Sequence, residues 1–320
     1  HGRDSLRTPR NGRNPLTPPT SNHWVGSLLV AAGAILLAGK GLFAKALYGM
    51  GLTFHDVAAI RSVLAVPGFA LLAWLYRSHI NRTPDVMTHR KDLLLAAAVG
   101  LLCYYLGALA NFYALTIVAA NVERPLLFAY PIFVVLITTL LHRRAPSAPV
   151  VLALLLTTMG VTLVTGALNA SLTPEQWTGI GWICFCSLTI AIYFLVSAKL
   201  TQRLGSSFFT FIAMTSAAVG FLGHYQIARG WQNIDLSGSA WLMLAALIVF
   251  STVLPLLLMA EGVRRVGASR AALISTLGPP ATAIMAYYLT GEMLTLSQLA
   301  GIGLVIIGVL SLELGRSRHY

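Results

Sequence analysis

Four charged side chains stand where apolar sequence surrounds them: Lys40 in "LLAGKGLF", Arg61 in "AAIRSVLA", and the neighbours Glu123 and Arg124 in "NVERPLLFAYP". A charge near the centre of a membrane helix costs about 2.5–3.5 kcal/mol on insertion scales, so residues of this kind mark a binding site or a deliberate ion pair. Arg61 or Lys40 would attract an anionic group such as a substrate carboxylate, which the planar guanidinium fork matches with two parallel hydrogen bonds. Glu123 would hold one of the cations or an ammonium. As the one acid well inside the apolar stretches, it is also the candidate for carrying a coupling proton. A structural ion pair that snorkels to water fits Glu123 and Arg124 equally well.

The elements that position these residues follow from composition. Hydrophobic residues are 57% of the 320-residue chain and charged residues 10%, against roughly 25% charged in a soluble domain. The mean hydropathy is +0.75. This is the composition of an all-α integral membrane protein in a lipid bilayer. Taking roughly 20 apolar residues per crossing, ten spans are predicted near residues 24–48, 55–76, 92–115, 119–141, 147–167, 177–198, 206–228, 239–261, 270–290 and 295–314. Residues 1–22, rich in Arg, Pro and Asn, read as a disordered cytoplasmic tail rather than a signal peptide. With the N-terminus inside, Arg229 is the one cation left in the outer loops, so both termini are placed in the cytoplasm. In that orientation Lys40, Arg61, Glu123 and Arg124 share one depth in the outer half of the membrane.

Self-similarity organises the spans. A shift of 148 residues lays Pro131 on Pro279, Gly160 on Gly308 and Ala120 on Ala268, so "AANVERPLLFAYP" answers "GASRAALISTLGP". A shift of 154 lays Lys45 on Lys199, Gly51 on Gly205 and Phe54 on Phe208. Five spans per half is an odd number, so the second half enters the membrane from the opposite side. The expected architecture is therefore ten transmembrane helices as two inverted five-helix repeats, residues 23–168 and 169–315.

The stretches "GLFAKAL" (41–47), "AAIRSVLA" (58–65), "VERPLLFAYPIFVVLITTLL" (122–141) and the block from Gly267 to Leu310 resemble the EamA-like transporters of the drug/metabolite transporter superfamily. The resemblance covers roughly residues 24–314 and implies a multi-pass secondary carrier of the bacterial inner membrane. Such a carrier is often an exporter of amino acids or other small metabolites, with a cavity between its halves. The chain departs from the pattern at "AGKG" (38–41) in the first helix and at "HRRAPS" (142–147), which stands where the second half has "TGEMLT".

Further candidates are polar residues inside the spans. Tyr104, Asn111, Tyr130 and Tyr193 are candidates for substrate contact, and Ser251, Thr252, Ser275 and Thr276 for lining a cavity. Pro125 suits the first turn of a helix starting near Arg124. Pro131, Pro279 and Pro280 lie deeper and are hinge candidates. Gly301, Gly303 and Gly308 permit close packing within the chain or a homodimer seam. "GAILLAGKG" (33–41) has its glycines one residue too far apart for a phosphate loop, and no Ser or Thr follows Lys40. Cys103, Cys184 and Cys186 match no metal framework, no catalytic constellation is present, and the scattered cations form no continuous basic face for nucleic acid. No cofactor, metal or enzyme activity is expected. A passive channel and a non-transporting sensor or assembly subunit are the alternatives to a carrier; a channel would want a continuous polar stripe, and the polar residues here end in one local cluster.

Overall fold

The computed structural model describes residues 21–76, 90–115, 117, 126–143, 145–165, 176–230, 236–290 and 294–314, and the described residues are built from helices. In chain order these are α1 (Ser21–Ala38), α2 (Lys40–Gly49), α3 (Phe54–Tyr76), α4 (Arg90–Gly100), α5 (Ala108–Leu115), α6 (Tyr130–His142) and α7 (Ala148–Thr165). They continue with α8 (Gln176–Leu204), α9 (Ser206–Arg229), α10 (Gly238–Ile248), α11 (Leu254–Val266), α12 (Ala268–Ile274), α13 (Gly278–Thr290) and α14 (Leu296–Leu314). Five described helical runs, among them His55–Leu75, Trp177–Leu204 and Gly238–Val266, are long and apolar enough to cross a membrane. A helix suits that solvent because every interior backbone group is satisfied within the segment.

Local chemistry sets several helix starts. Thr53 and Asp56 form a reciprocal cap: the Asp56 N–H donates to Thr53 Oγ1 at 3.3 Å, and the Thr53 N–H donates to Asp56 Oδ2 at 2.7 Å. Thr295 and Gln298 repeat the arrangement at α14, with the corresponding bonds at 3.3 and 2.9 Å. In each case two orphan donors of the first turn are satisfied together. Before α3 and before α9 the chain turns at Gly51 (φ 91°) and Gly205 (φ 78°), a backbone region that a side chain disfavours.

Three expectations about spans meet a different local structure. The first span is broken at Gly39, whose N–H bonds Leu36 O at 3.2 Å, so α1 and α2 are separate helices. Pro131 is the second residue of α6, and Pro279 and Pro280 lie in the first turn of α13. There a missing N–H costs little, which is why new helices begin at these prolines, preceded by a turn in one case and a 3₁₀ turn (Ser275–Leu277) in the other. Asn121, Glu123, Arg124 and Pro125 lie outside the described residues.

Helices approach closely where glycine stands at the seam. A Cβ on Gly160 would meet Val305 Cγ2 at 2.7 Å, and one on Gly308 would meet Thr157 Cγ2 at 2.9 Å, so α7 and α14 pack with little space between them. α1 packs on α11 through Gly26, Gly33 and Gly262, and α9 packs on both α3 and α4. At one end of α11 the Glu261 carboxylate gathers Arg264 Nε (2.8 Å), Arg265 Nε (2.6 Å) and Ser206 Oγ (2.6 Å). Asp56 is buried beneath Tyr225, whose hydroxyl donates to Oδ1 at 3.0 Å across the α3/α9 contact.

Helix bounds recur along the chain. α10, α13 and α14 begin 148 residues after α4, α6 and α7 respectively, at Gly238, Gly278 and Leu296 against Arg90, Tyr130 and Ala148.

Candidate functional site

Between α4 and α5, and again between α10 and α11, the helix widens into π-helical turns, Leu101–Gly107 and Val249–Val253. Their first residues, Leu101 and Val249, are also 148 positions apart. The second turn has a visible cause. Pro255 lacks the N–H that would bond the Ser251 carbonyl four residues back, and its ring crowds that carbonyl. The helix accommodates this by reaching one residue further, so the Leu254 N–H bonds Val249 O. Wide turns of this kind recur at functional sites because they release backbone groups and re-aim side chains.

Two side chains of the Val249–Val253 turn reach across to the first part of the chain. Ser251 Oγ donates to Leu36 O at 3.1 Å, taking up a carbonyl at the Gly39 break of the first span. Thr252 Oγ1 donates to Leu247 O at 3.2 Å, which leaves its lone pairs to accept a long hydrogen bond of 3.5 Å from Arg61 Nη1 of α3. Among the described residues this is the hydrogen bond Arg61 makes, and no carboxylate pairs with it. Tyr48 and Tyr104 lie within electrostatic reach of the guanidinium. A partly buried guanidinium with five donors and one long bond to a hydroxyl is under-satisfied, which favours an anionic visitor.

Tyr104, in the Leu101–Gly107 turn, meets Tyr193 of α8 edge to face with ring centroids 4.9 Å apart. The two hydroxyls are neighbours at the edge of hydrogen-bond reach: that of Tyr193 is buried, interacts with Tyr104 and makes no closer hydrogen bond among the described residues. Tyr193 also packs on Phe209, and Phe194 stacks on Tyr130. The Tyr130 hydroxyl is already engaged with Ser275 Oγ, which itself donates to Ala272 O at 2.8 Å. Tyr130 therefore ties α6 to the turn before α13 and has its hydroxyl occupied.

The geometry thus sorts the candidate residues. Tyr104 links Arg61, within whose electrostatic reach it lies, to Tyr193, whose ring it meets, and Thr252 holds Arg61. Lys40 opens α2 directly after the Gly39 break and is partly buried. Asn111 of α5 has its Oδ1 buried without a partner among the described residues. Pro131, Pro279 and Pro280 stand at helix starts. Glu123 and Arg124 lie outside the described residues. Sequence reasoning missed the π-helical turns, although Pro255 inside an apolar run was a signal for one of them. It also did not single out Asp56, which the structure makes half of a cap, although Thr53 three residues earlier spells that motif.

Comparison with known proteins supplies the family. The sequence model of the EamA-like transporter family matches residues 20–166 and again 177–313. An uncharacterized transporter of Bacillus subtilis, YcbK, is 32% identical over 292 residues, which cover 90% of this chain and 92% of that protein. The uncharacterized inner membrane transporter YicL of Salmonella typhimurium is 24% identical, with 92% of this chain and 97% of that protein covered. A crystal structure at 16% identity superposes with a TM-score of 0.74 over 95% of this chain and 100% of its own, and so shares the fold. The chain belongs to the EamA-like transporter family and is a multi-pass membrane protein.

Proposed function

From membership in the EamA-like transporter family, we propose that this protein is a secondary carrier of the bacterial inner membrane. It exports a small zwitterionic or anionic metabolite, such as an amino acid, by alternating access. In this reading ten helices form two inverted halves, residues 23–168 and 169–315, with both termini cytoplasmic. Two separate matches of one family model support the division. So do the helix bounds that recur 148 residues apart. The packing supports it as well: α5 lies on α8 as α11 lies on α1, and α4 on α9 as α10 on α3. Two similar bundles of opposite orientation can exchange conformations and open one central site to either side in turn.

The observation that carries the substrate reading is Arg61, a partly buried cation without a carboxylate partner among the described residues. Its neighbours in the proposed site are Tyr104, Tyr193 and Asn111. Lys40 and Arg124 are proposed as further cations of the entrance and Glu123 as the coupling group. Pro131, Pro279 and Pro280 are proposed as the points about which the halves bend.

Counterflow in proteoliposomes tests this reading. A carrier loaded with unlabelled solute accumulates labelled solute from outside, whereas a channel only equilibrates it. Exchange by the unmodified protein, lost in Arg61→Gln and reduced in Glu123→Gln or Lys40→Ala at equal amounts of folded protein, is the expected result. Equilibration without exchange would point to a facilitator. No movement of any amino acid or organic acid would leave a sensor or assembly role.

A further inference from the structure

The two π-helical turns occupy matching positions along the chain, and both deliver a hydroxyl-bearing side chain to the surroundings of Arg61: Thr252 from one and Tyr104 from the other. The geometry points to a binding site for a single carboxylate between these turns, with Arg61, Tyr104 and Tyr193 as its donors and Thr252 as the residue that positions Arg61. The inference rests on the carrier reading and deepens it by naming the head group recognised and the residues that recognise it.

Three features support the assignment. The donor set is charged once: Arg61 supplies one positive charge, and the tyrosine hydroxyls add direction without charge. One cation with neutral donors suits a monoanion, and the flat guanidinium suits the flat carboxylate. Next, the Tyr193 hydroxyl is buried and its one polar contact among the described residues is a long one to the Tyr104 hydroxyl, the neighbouring donor of the same site. Such a group is costly and is retained where a function needs it. Tyr130, in contact with the same aromatic cluster, spends its hydroxyl on Ser275, so within that cluster the Tyr193 hydroxyl is the weakly paired one. Last, the orientation of Thr252 is fixed from behind. Its proton is committed to Leu247 O inside the widened turn, so it can only accept from Arg61. That contact holds the guanidinium by one edge and leaves the other donors for a ligand. Thr252 is itself fully buried, which makes it a positioning residue rather than a ligand.

The test uses the full-length protein in nanodiscs, with L-amino acids, lactate and pyruvate as probes and the amino-acid amides as controls that lack the carboxylate. Binding is read as a ligand-induced shift in melting temperature and as an affinity. Acids shift the unmodified protein and the corresponding amides do not. Tyr104→Phe and Tyr193→Phe each weaken acid binding about tenfold or more, the loss of one hydrogen bond to a charged group. Tyr193→Phe also raises the melting temperature of the empty protein, because it removes a buried hydroxyl that has only one long polar contact. A merely structural tyrosine would not combine greater stability with weaker binding. Thr252→Val weakens acid binding, and Thr252→Ser, which keeps the hydroxyl, restores it.

Acid binding that is unchanged in both tyrosine variants overturns the site while leaving a working carrier intact, as counterflow would show. Equal binding of acids and amides, or no acid-dependent shift across the panel, overturns the carboxylate assignment. Carboxylate-specific binding without counterflow removes the carrier reading and leaves the site standing.

Discussion

Gly301 and Gly303 are two residues apart in α14, and the structure gives them opposite prospects. A Cβ on Gly301 would stand 2.6 Å from Gly160 O, 2.8 Å from Val164 N and 2.9 Å from Leu163 Cβ, while one on Gly303 would find nothing within 4 Å. The atoms around Gly301 belong largely to the backbone of α7 and cannot swing aside. To regain an ordinary 3.4 Å contact the two helices must separate by about 0.8 Å. That separation would loosen a seam in which Gly160 faces Val305 and Gly308 faces Thr157. Overpacking of this kind costs about 1–3 kcal/mol, from which the better helix propensity of alanine recovers about 1 kcal/mol. Gly301→Ala should therefore destabilise by up to about 2 kcal/mol, and Gly303→Ala should be neutral or stabilising by up to about 1 kcal/mol. The assay is unfolding of the purified protein by titration with a denaturing detergent, followed by tryptophan fluorescence. Equal losses in the two variants, or a larger loss at Gly303, would refute the packing argument. A larger loss at Gly303 that also changed the oligomeric state would place a homodimer seam on that face of the helix.

Two shorter predictions concern charges and the backbone. Glu261→Gln should cost about 2 kcal/mol, because the carboxylate holds two guanidiniums, 37% and 27% exposed, and a hydroxyl, whereas Asp92→Asn should cost no more than about 1 kcal/mol because its ion-pair partner Arg203 is 51% exposed. Parallel melting curves of the two variants check the ranking, and equal shifts would contradict it. Arg143, exposed at the end of α6, has φ 50° and ψ 36°, a left-handed conformation costing a side-chain-bearing residue about 1–2 kcal/mol. Arg143→Gly should raise stability by up to about 1 kcal/mol after the entropy of glycine in the unfolded chain is counted. A lower melting temperature would mean that the guanidinium makes an interaction worth more than the strain.

That last position shows what could be read from the sequence and what could not. The shift of 148 residues sets "HRRAPS" against "TGEMLT", so Arg143 falls where the other half has Gly291, and a need for left-handed backbone was legible before any coordinates. The same shift lays Gly107 on Pro255, yet neither was recognised as marking a widened turn. The reason is physical. Hydrophobic periodicity locates a helix when one face is polar, and in the segment Gly238–Val266 nearly every face is apolar until Glu261, so a change of one residue in the repeat leaves no trace in the pattern. What remained was the proline and its missing N–H, a local signal whose consequence depends on whether the helix kinks, breaks or widens. The widened turn carries Thr252 to Arg61 and Ser251 to the Gly39 break. Sequence reasoning could therefore nominate Arg61, Tyr104 and Tyr193 as charges and hydroxyls out of place in lipid, and it nominated Tyr130 on equal grounds. Only the hydrogen bond from Tyr130 to Ser275, set by how α6 meets the turn before α13, separates the firmly held hydroxyl from the weakly paired one of Tyr193. Residue types reveal which groups a membrane tolerates at a cost, and packing decides which of them are still waiting for a partner.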